Sequence, residues 1–495
     1  MNLKYLIAVI AILIIICAGA FALTNSGNTG SISIDANALE DRGNITVDSE
    51  SLDESKGLYH TDSADANSIL VKNGGVLKLA DSIINKTGDT ATSGDDADFY
   101  GVNSAILVNT NATLDISNVE INTDSKGSNG IFVTNAEAST SGSSGDAGQG
   151  AEGGQPPEAT GNGAGEGGQP PEANGNGGQG GGEQPGASTV EGNTQATIKN
   201  VKITTHSDKS RGLDATYNGI INAENVIINT DGQSCAALAT DRGEGQVHVK
   251  NSQINTGVSK DSGRGSPLIY STGNITAENT KGTAYVSQIA CIEGKNSIEL
   301  TDCDLTGYGG GNRQDGDTYV DLGGIFIYQS MSGDADVGTS TFTAKNSQLK
   351  IAEDSPVYTT APMFHITNTA CVINLENTEC SFGSGTFLES SSQNQWGSEG
   401  SNGGICELNT DNENIGGNVI VDSISSLTWN MKNTQFKGAV NSTGNATVNV
   451  GEGSTWTLSG DSSVSSLTVD GTIEYGEYSL TVNGQKYDSS NPYNG

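Results

Sequence analysis

A seven-residue block built on one asparagine recurs along the chain and constrains its fold more than any other feature. It reads SNVEINT at 117–123, KNVKITT at 199–205, ENVIINT at 224–230 and KNSQINT at 250–256. Decayed copies follow as ENTKGTA at 278–284, TDCDLTG at 301–307, KNSQLKI at 345–351, ENTECSF at 376–382 and KNTQFKG at 432–438, and ADSIINK at 80–86 stands in front. Where nothing is inserted the period is near 25 residues, as from Asn200 to Asn225. Each unit adds two apolar segments, one directly before the asparagine (ATLDIS, GQVHVKN, STFTAKN) and one beyond it (AILVN, GIFVT, GIFIY). Three short alternating strands put every second side chain on one face, and so small a unit cannot enclose a core alone. Stacked units bury those faces continuously. The expected fold is all-β: a right-handed parallel β-helix with three strands per coil.

Asparagine tolerates left-handed φ, and its amide can bond the amide of the next coil. Asn118, Asn200, Asn225, Asn251, Asn279, Asn346, Asn377 and Asn433 are therefore predicted to stack as a ladder of buried amides at one corner. Asp81 and Asp302 replace it in two coils, keeping the turn without the full ladder. Residues 24–138 and 189–440 carry the coils, roughly 15 of them, or about 70 Å of rod at ~4.8 Å per strand. Between them, residues 139–188 contain EGGQPPEATGNGAG (152–165) and EGGQPPEANGNGGQ (166–179). Gly, Pro, Gln and Glu with almost no apolar residue predict a disordered surface loop. Past Ile424 the period loosens, and short strands around Trp456 in 441–495 predict a β-strand cap over the open last coil.

With the asparagine turns, RGLDATY (211–217), ATDRGEG (239–245), GSTWTLSGD (453–461) and SLTVDGTI (466–473) resemble secreted, pectin-lyase-like β-helix surface proteins. Adhesin-like proteins and autotransporter passenger domains belong to that group. The resemblance covers nearly the whole chain after its N-terminal apolar run. It implies a rod displayed outside the cell. Autotransporters continue into a membrane barrel, whereas this sequence ends shortly after its expected cap, so export through a barrel of its own is not expected.

Composition agrees with that location. Lys plus Arg number 23 against 58 Asp plus Glu, a formal charge of −35. Nucleic acid and anionic lipid both call for clustered cations, so both are disfavoured as partners. Lys4 precedes an apolar run from Tyr5 to Leu23 that contains Ala20-Phe21-Ala22. Residues 1–23 read as a signal peptide or an uncleaved membrane anchor, which predicts an extracellular or cell-surface protein. Cys17 follows the bulky Ile16, which argues against lipidation there. Cys235, Cys291, Cys303, Cys371, Cys380 and Cys406 lack metal-type spacing and read as buried thiols, with disulfides the alternative outside the cell.

The same fold hosts enzymes that cleave polyuronates. Polygalacturonases carry NTD, DD, GHG and RIK on successive coils. Here NTD occurs at 122–124, 229–231 and 409–411, the one DD is Asp95-Asp96 upstream of all three, and GHG and RIK are missing. A hydrolase is not supported. For a lyase, Arg211 is the base candidate, set among Asp208, Lys209, Asp241, Arg242 and Arg264. Asp95, Asp96 and Asp98, and Asp315, Asp317 and Asp321, are the Ca²⁺ candidates, and no other cofactor is expected. Tyr217, Tyr270 and Tyr328 fall at the end of the same strand, and with Asp241 and Arg242 they are candidates for a carbohydrate-binding ridge. The function expected is adhesin-like: non-catalytic binding or scaffolding toward glycans or neighbouring cell surfaces. The alternative is a uronate lyase, which would place Arg211 in an open groove beside carboxylates.

Overall fold

A computed structural model of the chain describes residues 32, 34–91, 94–138, 187–189, 192–262, 264–309, 313–315, 318–320 and 323–494. One coil shows the plan. Gln246–Lys250 forms the first strand, Asn251 turns the corner, Gln253–Thr256 forms the second strand, and Ile269–Ser271 forms the third after a loop. Each strand then pairs in parallel with its counterpart one coil on: Gln246 opposite Asn274, Gln253 opposite Lys281, Ile269 opposite Ala290. First and second strands make a 22-stranded sheet, and from Asn414 the second strands form a separate four-stranded one. Third strands make a 16-stranded sheet that is parallel except for its last member. The fold is a parallel β-helix, as the repeat predicts.

Burial follows the alternation of each strand. Ile198, Val201, Ile203, Leu213 and Ala215 of one coil point inward and are fully buried. In the C-terminal half the interior becomes a column of rings: Phe342, Phe364, Phe387, Trp429, Phe436 and Trp456 stand 4.6–6.4 Å apart, centroid to centroid, each on the next. Such rings add edge-to-face and offset attraction to the area they remove from water. The two indoles are satisfied, Trp429 Nε1 donating to Thr410 Oγ1 at 3.1 Å and Trp456 Nε1 to the Gly438 carbonyl at 3.0 Å. Lys86 is buried at an early coil, its Nζ donating to the carbonyls of Ser63, Thr87 and Gly88 at 3.2, 2.6 and 2.8 Å.

All eight predicted asparagines, with Asp81 and Asp302, have φ between 44° and 55°. Their backbone N–H groups continue the sheet through the corner, as Asn225 does to the Lys250 carbonyl at 3.1 Å. The amide ladder differs from expectation. Asn279 donates to Asn251 at 2.8 Å, Asn377 to Asn346 at 2.9 Å, and Asn118 to Asp81, but Asn433 donates to Asp411. These side chains are half-exposed or exposed, not buried. Asn412, with φ 57°, occupies the same corner and donates to Asn377 at 3.2 Å; the block around it, TDNENIG, hides it in the sequence. The buried rung is the next residue. Ser252 Oγ donates to the Lys250 carbonyl at 2.7 Å and accepts the Val226 N–H at 3.1 Å, and Ser82 and Ser347 repeat this geometry.

The expected loop at 139–188 lies almost wholly outside the described residues. Its stem does not: Ala136–Ala138 pairs antiparallel with Ala187–Thr189, so the segment leaves and re-enters at one point. The cap is shorter than predicted. Parallel pairing persists through Leu480–Val482, because the coils shorten while their register holds. Only then does an antiparallel hairpin with Gln485–Tyr487 close the third sheet, while Tyr493 donates its hydroxyl to the Leu467 carbonyl at 2.9 Å. Among the described residues the six cysteines form no disulfide; five are buried and Cys380 partly so, with Cys371 and Cys406 opposite each other in register. Among the described residues no helix is long and apolar enough to cross a membrane, and residues 1–23 lie outside them.

Candidate functional site

The third strands turn one side chain of each coil inward and the next outward. Register aligns the outward ones in a column: Phe132, Asp214, Ala239, Tyr270, Cys291, Phe326 and His365. In a soluble strand such positions normally face water. Here they are buried, because segments inserted between strands fold back over this sheet. The first is the helix Gly94–Tyr100. It stops at Gly101, whose φ of +68° favours glycine and where an added Cβ would stand 2.5 Å from the Phe132 ring. The others are the loops 329–338 and 391–402.

The helix is fastened by charge. Asp98 accepts from Arg211 Nη1 at 2.9 Å and from Lys209 Nζ at 3.0 Å. Arg211 also reaches Asp241 at 2.8 Å and Asp214 at 3.5 Å, and its side chain is 3 % exposed. Phe99 lies under the Arg242 guanidinium, 3.8 Å from its ring centroid, and Arg242 in turn pairs with Asp334 of the 329–338 loop. Tyr100 stacks on Tyr217 at 5.8 Å and 8°. Farther along, Glu293 accepts from Tyr270 Oη at 2.8 Å and from Ser330 Oγ. Trp396 packs on Phe326 and Tyr328 at 5.2 and 5.4 Å, and Gln393 contacts His365 Nε2 at 2.8 Å.

Three carboxylates thus surround one guanidinium out of reach of water, with Lys209 at the margin. Burial pushes the Asp214 carboxyl up to about 7, against the pull of Arg211. It raises Asp241 and Glu293 in the same direction. Burial also opposes the charge on Arg211, but Asp241, Asp98 and Asp214 outweigh it and hold the guanidinium protonated far above the ordinary range.

This corrects several expectations. Arg211 cannot serve as a base, because it is held in its protonated form, hydrogen-bonded to Asp98 and ion-paired with Asp241 and Asp214. Asp241 is fully buried, and Tyr270 and Tyr328 are buried beneath the loops, so neither they nor the half-buried Tyr217 form a flat exposed ridge for sugars. Arg242 spans a helix and a loop. Asp98 is a counter-ion, and Asp96 is half-exposed; the side chains of Asp95, Asp315, Asp317 and Asp321 lie outside the described residues. Among the described residues no group of three or more His, Cys, Asp or Glu side chains is arranged to hold a metal ion.

Sequence reasoning found Arg211, Asp241 and Arg242 but missed Asp214, Glu293 and Asp334. Asp214 had a readable signal, a charge at the outward position of an otherwise apolar strand. Asp334 had none, since its partner is 92 residues away. No family model and no curated protein matches the chain.

Proposed function

We propose that the protein is an exported or surface-held rod that binds glycans or neighbouring surfaces without catalysis. One observation carries this reading: every candidate for chemistry on the third sheet is spent on holding the inserted helix and loops in place. A uronate lyase needs a base that can give up its proton and an opening that admits a polymer. Arg211 meets neither condition. The accessible surface is instead rows of amides, hydroxyls and charges on the first and second strands, in keeping with contact spread over many weak sites.

Two measurements test it. Incubation with polygalacturonate and with alginate, with and without Ca²⁺, should yield no unsaturated uronate products. Turnover that disappears in Arg211→Lys would replace the binding reading with the lyase. Immobilised polysaccharides of several charges should retain the full chain, and retention by none of them would refute binding.

A further inference from the structure

The outward side of the first strands carries two columns that register keeps in line over nine coils, from Thr197 and Lys199 to Asn430 and Lys432. Two shallow grooves open on these columns, of about 390 Å³ and about 300 Å³, one coil apart. This surface is distinct from the covered third sheet. We propose that it is a docking trough for an uncharged, linear, hydroxyl-rich polysaccharide laid along the rod axis. The proposal rests on the binding reading above and assigns that binding a place and a ligand class.

Charge is the first argument. The larger groove holds Lys199, Glu224, Lys250 and Glu278, and the smaller one Lys345, Glu376, Asp411 and Lys432. Each therefore sums to zero in a chain with 23 cations and a charge of −35. A polyanion would meet the repulsion of the surrounding surface without a cationic groove to offset it, and a polycation would find no excess of carboxylates in either groove. A neutral polymer meets neither cost.

Hydrogen-bonding capacity is the second. Asn374 donates to Thr343 Oγ1 at 3.3 Å, Asn409 to Asn374 at 3.0 Å, Asn430 to Asn409 at 2.8 Å and Asn449 to Asn430 at 2.8 Å. Asn374 and Asn430 each spend one N–H and one lone pair on their neighbours and keep one of each, whereas Asn409 gives its second N–H to Glu407 Oε1 at 3.1 Å and keeps a lone pair. Along the coils of Asn374, Asn409 and Asn430 the trough thus presents a fixed acceptor at each strand spacing and a fixed donor at Asn374 and Asn430, the complement of a hydroxyl, which is both. The row also holds the side chains in place before binding, so little rotamer freedom is lost when the ligand arrives. No Phe, Tyr or Trp lines either groove, and the one imidazole, His248, is bonded to Thr276, so affinity must accumulate along successive rungs. That selects a polymer over a free sugar.

Affinity electrophoresis of the full chain tests this in native gels containing hydroxyethylcellulose, dextran, mannan or polygalacturonate. At least one neutral polymer should retard the chain, and added salt should leave the retardation unchanged. Asn409→Asp/Asn430→Asp should weaken it by about tenfold, as expected when rungs of a multivalent contact are lost. Asn409→Ala/Asn430→Ala should also weaken it without adding charge, and thermal melting confirms that each variant is folded. Asn255→Asp, on the neighbouring strand, should leave it unchanged. Retardation by polygalacturonate alone, or by a neutral polymer equally in wild type and both double variants, overturns the trough while glycan binding stands. No retardation by any polymer overturns both. A dimer seen by sedimentation and abolished by the same substitutions would assign the trough to a second copy of the chain, which also overturns the proposal.

Discussion

Removing a charge from the buried cluster should stabilise the protein, and increasingly so as pH rises from 3.8 to about 7. Asp214 is fully buried, 3.5 Å from a guanidinium it shares with two other carboxylates, and burial pushes its carboxyl up from the ordinary 3.8 to about 7. An acid whose folded pKa lies above its unfolded one contributes full stability below the unfolded value and loses it as pH rises to the folded one. The window therefore runs from 3.8 to about 7. At ~1.4 kcal/mol per unit the loss across it is at most about 4 kcal/mol. Asp214→Asn keeps the shape and never has to ionise. Relative to wild type it should gain about 4 kcal/mol at about pH 7.5 and about 1 kcal/mol at about pH 4.5. For a cooperative unit of this length that is about 4 °C and about 1 °C in melting temperature. Differential scanning calorimetry of both proteins across this range is the assay. If Asp214→Asn lowers the melting temperature by the same amount at both ends, Asp214 is an ordinary favourable ion pair and the reasoning fails.

The other predictions follow from single contacts. Ser252→Ala strands the Val226 N–H in the interior and should cost ~1–3 kcal/mol, more than Asn225→Ala, whose half-exposed side chain leaves mainly a left-handed backbone cost of ~1–2 kcal/mol; urea midpoints that reverse this order would refute the corner assignment. Lys86→Met leaves three carbonyls without their shared donor and should destabilise by about 3 kcal/mol, visible as faster amide exchange across residues 61–65 and 87–90. Truncation after Val482 removes the closing hairpin and Tyr493, exposing a strand edge, and light scattering should detect association; a monomeric truncated rod would show that the edge is guarded elsewhere.

The fold was legible because its rule is local. Asn225 and Asn251 mark the same corner in adjacent coils, and the apolar alternation between them fixes which side chains face inward. Asn412 escaped because the rule needs the asparagine's neighbours as well as the asparagine. The cap was placed too early because the coils after Ile424 keep their register while losing the spacing by which the eye finds it. The cluster on the third sheet was barely legible. Asp98 and Arg211 stand 113 residues apart in sequence, and an inserted helix brings them together, so neither periodicity nor spacing announces the pair. Arg211 was conspicuous for its rarity among so few cations. Rarity marks a residue but not its role, which burial alone decided.

The covering of the third sheet also has a mechanical reading. The strands themselves pair only with those of the two adjacent coils, so a pull along the rod axis is borne by the sheets one interface at a time. Through Asp98, Arg211, Arg242 and Asp334 the helix and the 329–338 loop lash together strands that are not neighbours, from the coil of Ile106–Asn109 to that of Ile325–Tyr328. This stretch is splinted. Under tension a surface rod should therefore part outside it, in the first two coils or beyond residue 402, leaving the middle as one rigid segment that breaks last.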